Sequence, residues 1–388
     1  MDFELSEEHK MIRETARRIA RERIAPRAGE IDEKEEYPHD IFQVFREAGL
    51  LGLSIPQQYG GAGAGILALC LAVEEAAKYC CSSGLMLLLS GLSTQPILIG
   101  GTEEQKHEFP SRVASGEYKG CFGLTEPNAG SDAGAIQSRA RRDGDDYVIN
   151  GEKCFISGGA VADYVVMFAK TDPAAGTRGI AGFIVPTSSP GFSVARTDKK
   201  MGVRAVATAS LAFDDCRVPA RYLLGGKENG MFRSVMMTLN TIRPVVGARG
   251  VGLAEGALTY ALDFARQREA FGGPIADLQA IQFMFADMAI QIEAARLLVY
   301  QAGWLVDQGR FDRQDAHFLS VAKAFATEMA VRVSSDALQV LGAQGYMRDH
   351  PLERHYRDAR QLMIVEGTSQ IHRVIIARAL LQRDLVYP

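Results

Sequence analysis

The 388-residue sequence predicts an α+β multidomain protein. Its parts are an N-terminal α-helical domain over residues 1–117, a middle antiparallel β domain over 118–228, and a C-terminal four-helix-bundle-like domain over 229–388. Three observations predict this. Apolar residues recur at helical spacing through the first part of the chain and again from about Gly230. Between them lie short apolar runs separated by Gly, Pro and Asp turn signals, the pattern of an antiparallel sheet or barrel. The C-terminal helical patterns are long and their loops short, which packs helices antiparallel.

Taken in order, Ser6 caps a first helix whose apolar face includes Ile12, Ala16, Ile19 and Ala20, and Pro26 ends it. A second helix carries Ile41, Phe42, Phe45 and Ala48 and stops at Gly49. The glycine-rich stretch 60–65 follows no strand and has no lysine in the Walker position. It reads as a turn before a helix over 66–79. Residues 85–99 form a helix without a polar face, expected to be buried all round or to wall a pocket. In the middle part, Asp143-Gly144 and Asn150-Gly151 are turn signals that flank a strand over 147–149. Strands follow at 154–157, 164–169, 180–185, 193–196 and 210–213. The C-terminal helices are expected at 231–268, 278–305, 316–341, 352–365 and 369–385.

Composition is 47% hydrophobic and 23% charged, ample for a large core. A net charge of −4 supplies no field for nucleic acid or an anionic membrane, and a single Trp argues against a base-stacking surface. Cys70, Cys80, Cys81, Cys121, Cys154 and Cys216 form no CxxC pair and no zinc spacing. No metal site is expected, and the cysteines read as reduced, mostly buried thiols. The opening MDFELSEEHK lacks the apolar core of a signal peptide. No apolar run is expected to reach ~18 residues without a charge, so no membrane insertion is expected. The expected location is cytoplasmic; a mature mitochondrial matrix form fits the same features.

The chemistry concentrates in Ile364-Val365-Glu366-Gly367-Thr368-Ser369-Gln370. Glu366 follows the apolar Met363, Ile364 and Val365; Gly367 lets the backbone bend; Thr368 and Ser369 can cap the last helix. A carboxylate in apolar surroundings has a raised pKa and can act as a base near neutral pH; a surface loop carboxylate is the plain alternative. The run 121–132 is rich in turn formers whose N–H groups could wrap a ligand or simply build a turn. Phe155 and Ser157 share a strand face and could flank a ring, or be one core and one surface residue. Glycines in 268–272 and 339–345 permit close backbone approach, and helix C-caps explain them equally. The alternating charges of 353–360 read as a solvated helix face.

In their order and spacing, several stretches together resemble the acyl-CoA dehydrogenase family over essentially the whole chain, most closely its short-chain and related bacterial members. They are Gly123-Leu124-Thr125-Glu126-Pro127-Asn128-Ala129-Gly130-Ser131-Asp132, Asn150-Gly151-Glu152-Lys153, the runs 268–272 and 339–345, Arg357-Asp358-Ala359-Arg360, and Glu366-Gly367-Thr368-Ser369-Gln370. The resemblance implies an FAD-dependent oxidoreductase that converts an acyl-CoA to its trans-2-enoyl-CoA, as in β-oxidation of fatty acids. Glu366 would remove the α-proton while the β-hydrogen leaves as hydride to the flavin. The Glu366 N–H and a flavin hydroxyl would polarise the thioester carbonyl. Relatives with the base on the helix near residue 230 would place it at Ile242, which takes no proton; Arg243 matches an arginine near the base.

The flavin contacts implied by motif are Phe122, Leu124, Thr125, Gly130 and Ser131 in the β-domain loop, and Phe155 and Ser157 along the ring, where relatives often have Trp and Thr. Thr368 and Gln370 would meet the pyrophosphate and adenine end. Arg268, Phe271, Gln279, Gln339 and Gly342 would reach the FAD of a neighbouring subunit. Ala270 and Ala343 depart from the hydroxyl and glycine of many relatives. Sharing FAD implies a homo-oligomer, in this family usually a homotetramer built as a dimer of dimers. Electron-transfer flavoprotein is the implied acceptor. A flavin oxidase or monooxygenase of the same fold, or another acyl-CoA-transforming flavoprotein, is the alternative activity.

Substrate contacts implied are Ser131, Asn240, Ile242, Arg243, Val246, Arg249, Leu362 and Gly367. Ile242, Val246 and Arg249 fall on one helical face, which lines the acyl pocket in the family, with Arg249 near its floor and Leu362 closing it. Both are large, so a short or compact acyl chain is expected. Its far end could be polar or anionic and pair with Arg249, unless that arginine pairs with a protein carboxylate. Ser83 stands where glutaryl-CoA dehydrogenases have their substrate-carboxylate arginine, which disfavours that particular activity.

Overall fold

The computed structural model describes residues 4–382. Helix α1 (Glu7–Ile19) is capped by Ser6, whose hydroxyl accepts from the His9 N–H at 3.2 Å. Pro26 does not end the helical path. The backbone widens into a π-turn over Ala20–Ile24 and tightens over Ala25–Arg27 before α2 (Ala28–Lys34). Pro26 brings no N–H and crowds the preceding turn; re-spacing the carbonyls accommodates both. Helix α3 (His39–Glu47) stops at Gly49, which adopts φ 69°. After the glycine-rich turn comes α4 (Gly65–Ala77), whose first free N–H groups, on Ile66 and Leu67, donate to the Asp307 carboxylate at 2.6 and 3.0 Å. Helices α5 (Cys81–Gly100) and α6 (Glu103–Ala114) complete this part.

Helix α5 corrects one expectation: its 20 residues carry no charge, so it is long and apolar enough to cross a membrane by length and composition. Nearly all of it is buried inside the fold, against α4, α6 and the strand that follows. Burial on all sides accounts for its lack of a polar face.

The sheet contains β1 (Gly120–Gly123), β2 (Arg139–Asp143), β3 (Asp146–Ser157), β4 (Tyr164–Lys170), β5 (Ile180–Pro186), β6 (Phe192–Asp198) and β7 (Thr208–Pro219). The order is β1-β4-β2-β3-β7-β6, with β5 paired to β4. It is mixed, not purely antiparallel: β1 runs parallel to β4, and Arg139 at the start of β2 pairs with Lys170 in parallel. The long connection through the β2–β3 hairpin lets β4 return beside β1 in the same sense. Asp143-Gly144 does form that hairpin turn, with Gly144 at φ 64°. Asn150-Gly151 is a bulge inside β3, not a turn. A Cβ on Gly151 would lie 2.3 Å from the Ser138 hydroxyl, so glycine is required by close approach. Asn150 donates to the Asp215 carboxylate at 3.0 Å and accepts from the Asp215 N–H at 2.9 Å, pinning the bulge to β7.

The C-terminal part holds α7 (Phe232–Gln267), the small hairpin β8 (Glu269–Ala270) and β9 (Gly273–Pro274), then α8 (Gln279–Asp307), α9 (Ala316–Val340), α10 (Leu352–Leu362) and α11 (Ser369–Gln382). Helix α10 ends three residues before the expected 365, and residues 383–385 of the last expected helix lie outside the described residues. Helix α7 packs against α4, α5, α8, α9 and α10, so it is the axis on which the two helical parts meet.

The charged run 353–360 is not a solvated face. Asp32 of α2 accepts from Arg204 at 2.8 Å and from Arg357 of α10 at 2.7 Å. The buried Asp358 accepts from the Val203 N–H at 2.5 Å. This clasp joins all three parts through residues whose i,i+4 spacing suggested only local pairs.

Candidate active site

The turn between α10 and α11 reverses direction through two consecutive left-handed residues, Glu366 at φ 53° and Gly367 at φ 99°. Glycine takes this freely; for Glu366 it costs ~1–2 kcal/mol. Thr368 then caps α11, its hydroxyl accepting from the Ile371 N–H at 3.3 Å. Three groups hold the turn. Fully buried Lys323 of α9 donates to the Gly367 carbonyl at 2.8 Å. The buried ring of His372 lies against the Glu366–Gly367 backbone. Arg243 of α7 stands nearby, donating to Asn240 and to the Ser320 hydroxyl. Among the described residues, the Glu366 N–H donates to no backbone acceptor, so it remains available to a ligand.

Burial pushes the Glu366 carboxyl above the ordinary carboxylate range, while the charges of Lys323, Arg243 and Arg249 pull it back. Burial pushes Lys323 down to about 7 and Arg243 down to about 10, with Glu366 opposing both shifts. Burial, then Arg243 and Lys323, push His372 down to about 2, so it is a neutral ring. The expected source of desolvation needs correcting. Ile364 is exposed, and Met363 and Val365 are only half-buried. Around Glu366 stand Arg243 of α7, Lys323 of α9 and the buried ring of His372 of α11, and of its apolar neighbours Val365 packs against the core.

On α7, Ile242, Val246 and Arg249 are all buried, as is Leu362 of α10. Arg249 donates to the Gln361 side chain at 3.2 Å and to the Cys81 carbonyl at 3.4 Å; its Nε has no partner. It forms no ion pair with a protein carboxylate within 4.0 Å among the described residues. Asn240 donates to the Phe311 carbonyl at 2.9 Å and supports Arg243, so it braces the site from behind.

In the β domain, Phe122 and Leu124 turn their side chains into the core, whereas Thr125 is half-buried and Gly130 and Ser131 are exposed. Buried Lys153 fixes this loop, donating to Glu126 at 2.7 Å and to the Leu124 carbonyl at 3.1 Å. Phe155 sits in a second irregularity of β3 at φ 58°, its ring 64% exposed, with Ser157 half-buried two residues on. An exposed aromatic held at a left-handed position is strain that a flat ring lying on it would offset. The exposed part of the β-domain loop and Phe155 thus offer a surface to a planar ring. Phe271 repeats the feature at the tip of the β8–β9 hairpin, at φ 54° and 95% exposed. Arg268, Gln279, Gln339, Gly342 and Gln370 are also exposed. Among the described residues, no hydrogen bond joins Arg268, Phe271, Gln279, Gln339 or Gly342 to the 122–131 loop.

Comparison with known families places the whole chain. The N-terminal, middle and C-terminal domains of acyl-CoA dehydrogenase match residues 6–117, 121–216 and 229–381. The chain belongs to the acyl-CoA dehydrogenase family. It is therefore an oxidoreductase of a flavoprotein family. It is 45% identical to the acryloyl-CoA reductase (NADH) of Anaerotignum propionicum, over 99% of this chain and 97% of that one. Its structure superposes on butyryl-CoA dehydrogenase of Megasphaera elsdenii with a TM-score of 0.95 at 38% identity, covering 98% and 100% of the two chains. A glutaryl-CoA dehydrogenase in complex with glutaryl-CoA gives a TM-score of 0.94 at 36% identity, covering 98% and 97%.

Sequence reasoning missed Lys323 and His372. One signal was present: Lys323 interrupts the apolar face of α9 formed by Leu319, Ala322, Ala326, Ala330 and Val333. A charge on such a face is paired, or it is used.

Proposed function

We propose that this chain binds FAD and dehydrogenates a short or compact acyl-CoA to the trans-2-enoyl-CoA. The observation that carries the reading is Glu366, a carboxyl of raised proton affinity on a strained turn, with its own N–H free to bind a ligand. Glu366 takes the α-proton. Its N–H donates to the thioester oxygen as negative charge develops there, as an oxyanion hole does. Lys323 and Arg243 keep the carboxylate ionised before substrate enters. Substrate then excludes water and raises its basicity further. FAD, held by the 122–131 loop, Phe155 and Ser157, would supply the acceptor for the β-hydride.

Arg249 and Leu362 close the far end of the α7 face, which supports a short acyl chain. Phe283, Ile290, Leu297 and Trp304 recur every seventh residue on α8, each more than half exposed. That stripe supports burial between copies, in a homotetramer whose second cluster of flavin contacts serves a neighbouring subunit. Electron-transfer flavoprotein is the proposed acceptor. Anaerobic bleaching of the flavin by butyryl-, hexanoyl- and octanoyl-CoA tests the reading: butyryl-CoA is expected to bleach fastest, and efficient octanoyl-CoA oxidation would sink the short pocket.

The relative named as an acryloyl-CoA reductase favours a second reading, in which the same residues work in reverse on a short enoyl thioester. NADH consumption dependent on acryloyl-CoA would mark it.

A further inference from the structure

Arg249 is among the most deeply buried large side chains of the protein. A guanidinium cannot shed its charge at accessible pH, so burial has to be compensated by partners. The partners here are weak. One terminal nitrogen serves three neutral acceptors, the Gln361 side chain and the Cys81 carbonyl and sulfur, at 3.2–3.4 Å. Its Nε is unpartnered, and among the described residues no protein carboxylate completes an ion pair within 4.0 Å.

The surroundings do not balance the charge either. Lys200 is half-buried in the same corner and donates to the carbonyls of Val203 and Val206. It feels Arg249 as a repelling charge. The charge of Asp358 reaches both Lys200 and Cys81, and its carboxylate is committed to the Val203 N–H at 2.5 Å. Asp358 is drawn on by Arg354 and Arg357 as well, so it does not neutralise Arg249. Two other buried cations have close carboxylate partners, Lys153 with Glu126 at 2.7 Å and Arg296 with Glu74 at 3.0 Å; Lys323 and Arg243, which also lack one, stand beside Glu366.

The position of Arg249 is informative. It lies two helical turns along α7 from Ile242, on the face shared with Val246, and its charge is felt at Glu366. A ligand whose thioester end is at Glu366 and whose chain follows this face ends at Arg249.

We propose that Arg249 is the anchor for an anionic substrate terminus, making this an enzyme for the mono-CoA thioesters of short dicarboxylic acids. This rests on the acyl-CoA dehydrogenase reading above and narrows its substrate class. A carboxylate there completes the missing ion pair, accepting from Nε and a terminal nitrogen in the bidentate geometry that suits guanidinium. Neutral chains of equal length leave the cation buried and unpaired.

The test compares succinyl-, glutaryl- and adipyl-CoA with the CoA esters of their monoamides, which match them in size but carry no charge. Flavin bleaching and kcat/KM with an artificial acceptor are read for both series. The wild-type protein is expected to prefer the best carboxylate over its amide by roughly 30-fold or more, the scale of a buried charge pair. In R249Q that ratio should fall to near one, and R249K should restore part of it. Equal use of acid and amide by the wild type overturns the inference, even if R249Q fails to retain flavin. An unchanged ratio in a flavin-loaded R249Q overturns it too. Bleaching by neutral esters alone overturns the anchor but leaves the dehydrogenase standing. Bleaching by no ester in either series overturns the anchor, and if butyryl-CoA also fails to bleach the flavin the dehydrogenase reading falls with it.

Discussion

Lys153 of the β domain donates to the Glu126 carboxylate at 2.7 Å. Lys323 of the bundle donates to the Gly367 carbonyl at 2.8 Å and makes no ion pair within 4.0 Å with Glu366, whose charge it nonetheless feels. Both lysines are fully buried, and burial lowers both, to about 8 and about 7. The difference lies in what each leaves for its carboxylate. Burial pushes Glu126 up, but Lys153 and the Ser138 and Gln137 N–H groups outweigh this and hold it below the ordinary range. It is locked as an anion and fixes a loop. Among the described residues Glu366 has no direct hydrogen-bonding cation, and it sits above the ordinary range, so it can still exchange a proton. A paired buried charge builds structure, whereas an unpaired one beside a carboxylate tunes chemistry.

The contrast can be broken most forcefully at Lys153. K153M leaves Glu126 buried without its cation, and a loss of about 3–5 kcal/mol in unfolding free energy is expected, with release of FAD. Denaturant unfolding followed by fluorescence measures it; a loss below about 1 kcal/mol would mean the pair is not what fixes the loop.

The interdomain clasp extends the paired side of the comparison. Burial raises Asp32, but Arg204 and Arg357 more than offset this and hold it below its ordinary value. Its contribution is therefore present at neutral pH and lost as pH falls through that lowered value. D32N should cost about 2 kcal/mol at pH 7, the scale of hydrogen bonds to charged groups. The gap to wild type should begin to narrow near about pH 4, where the carboxyl of the unfolded chain takes up its proton, and close as pH falls through the lowered native value. Thermal melts across pH would show it, and a gap independent of pH would contradict it.

The smallest stability effect is expected at Lys323. K323M should cost about 1 kcal/mol but alter the chemistry. Removing a cation beside Glu366 raises its proton affinity, so less of the base is ionised at a given pH. The acid limb of the bleaching rate should move to higher pH, and K323R should move it back. A fixed limb in K323M would assign Lys323 to structure alone.

The helices were legible because apolar spacing and glycine stops are local: α3 ends at Gly49, and α7, α8 and α9 lie where the 3.6-residue period put them. The corrections share a cause. Asn150-Gly151 has the composition of a turn, yet contacts with Ser138 and Asp215 make it a bulge. The parallel pairing of β1 with β4 joins segments some forty residues apart. The 353–360 charges found partners on α2 and in the β domain. The Glu366 turn and its caps could be read from residues 363–369, but the groups that set its proton affinity lie on α7 and α9, outside any sequence window. Local pattern shows the backbone of a site; its electrostatics are tertiary.

The central claim is that Glu366 is the base that takes the α-proton. Its most direct test is anaerobic mixing of butyryl-CoA with the FAD-loaded wild type and with E366Q, followed at the flavin absorption band. The wild type should bleach, and E366Q should retain its flavin and bleach at least roughly a thousandfold more slowly, as loss of a general base requires. Bleaching of E366Q within about tenfold of the wild-type rate would place the base elsewhere.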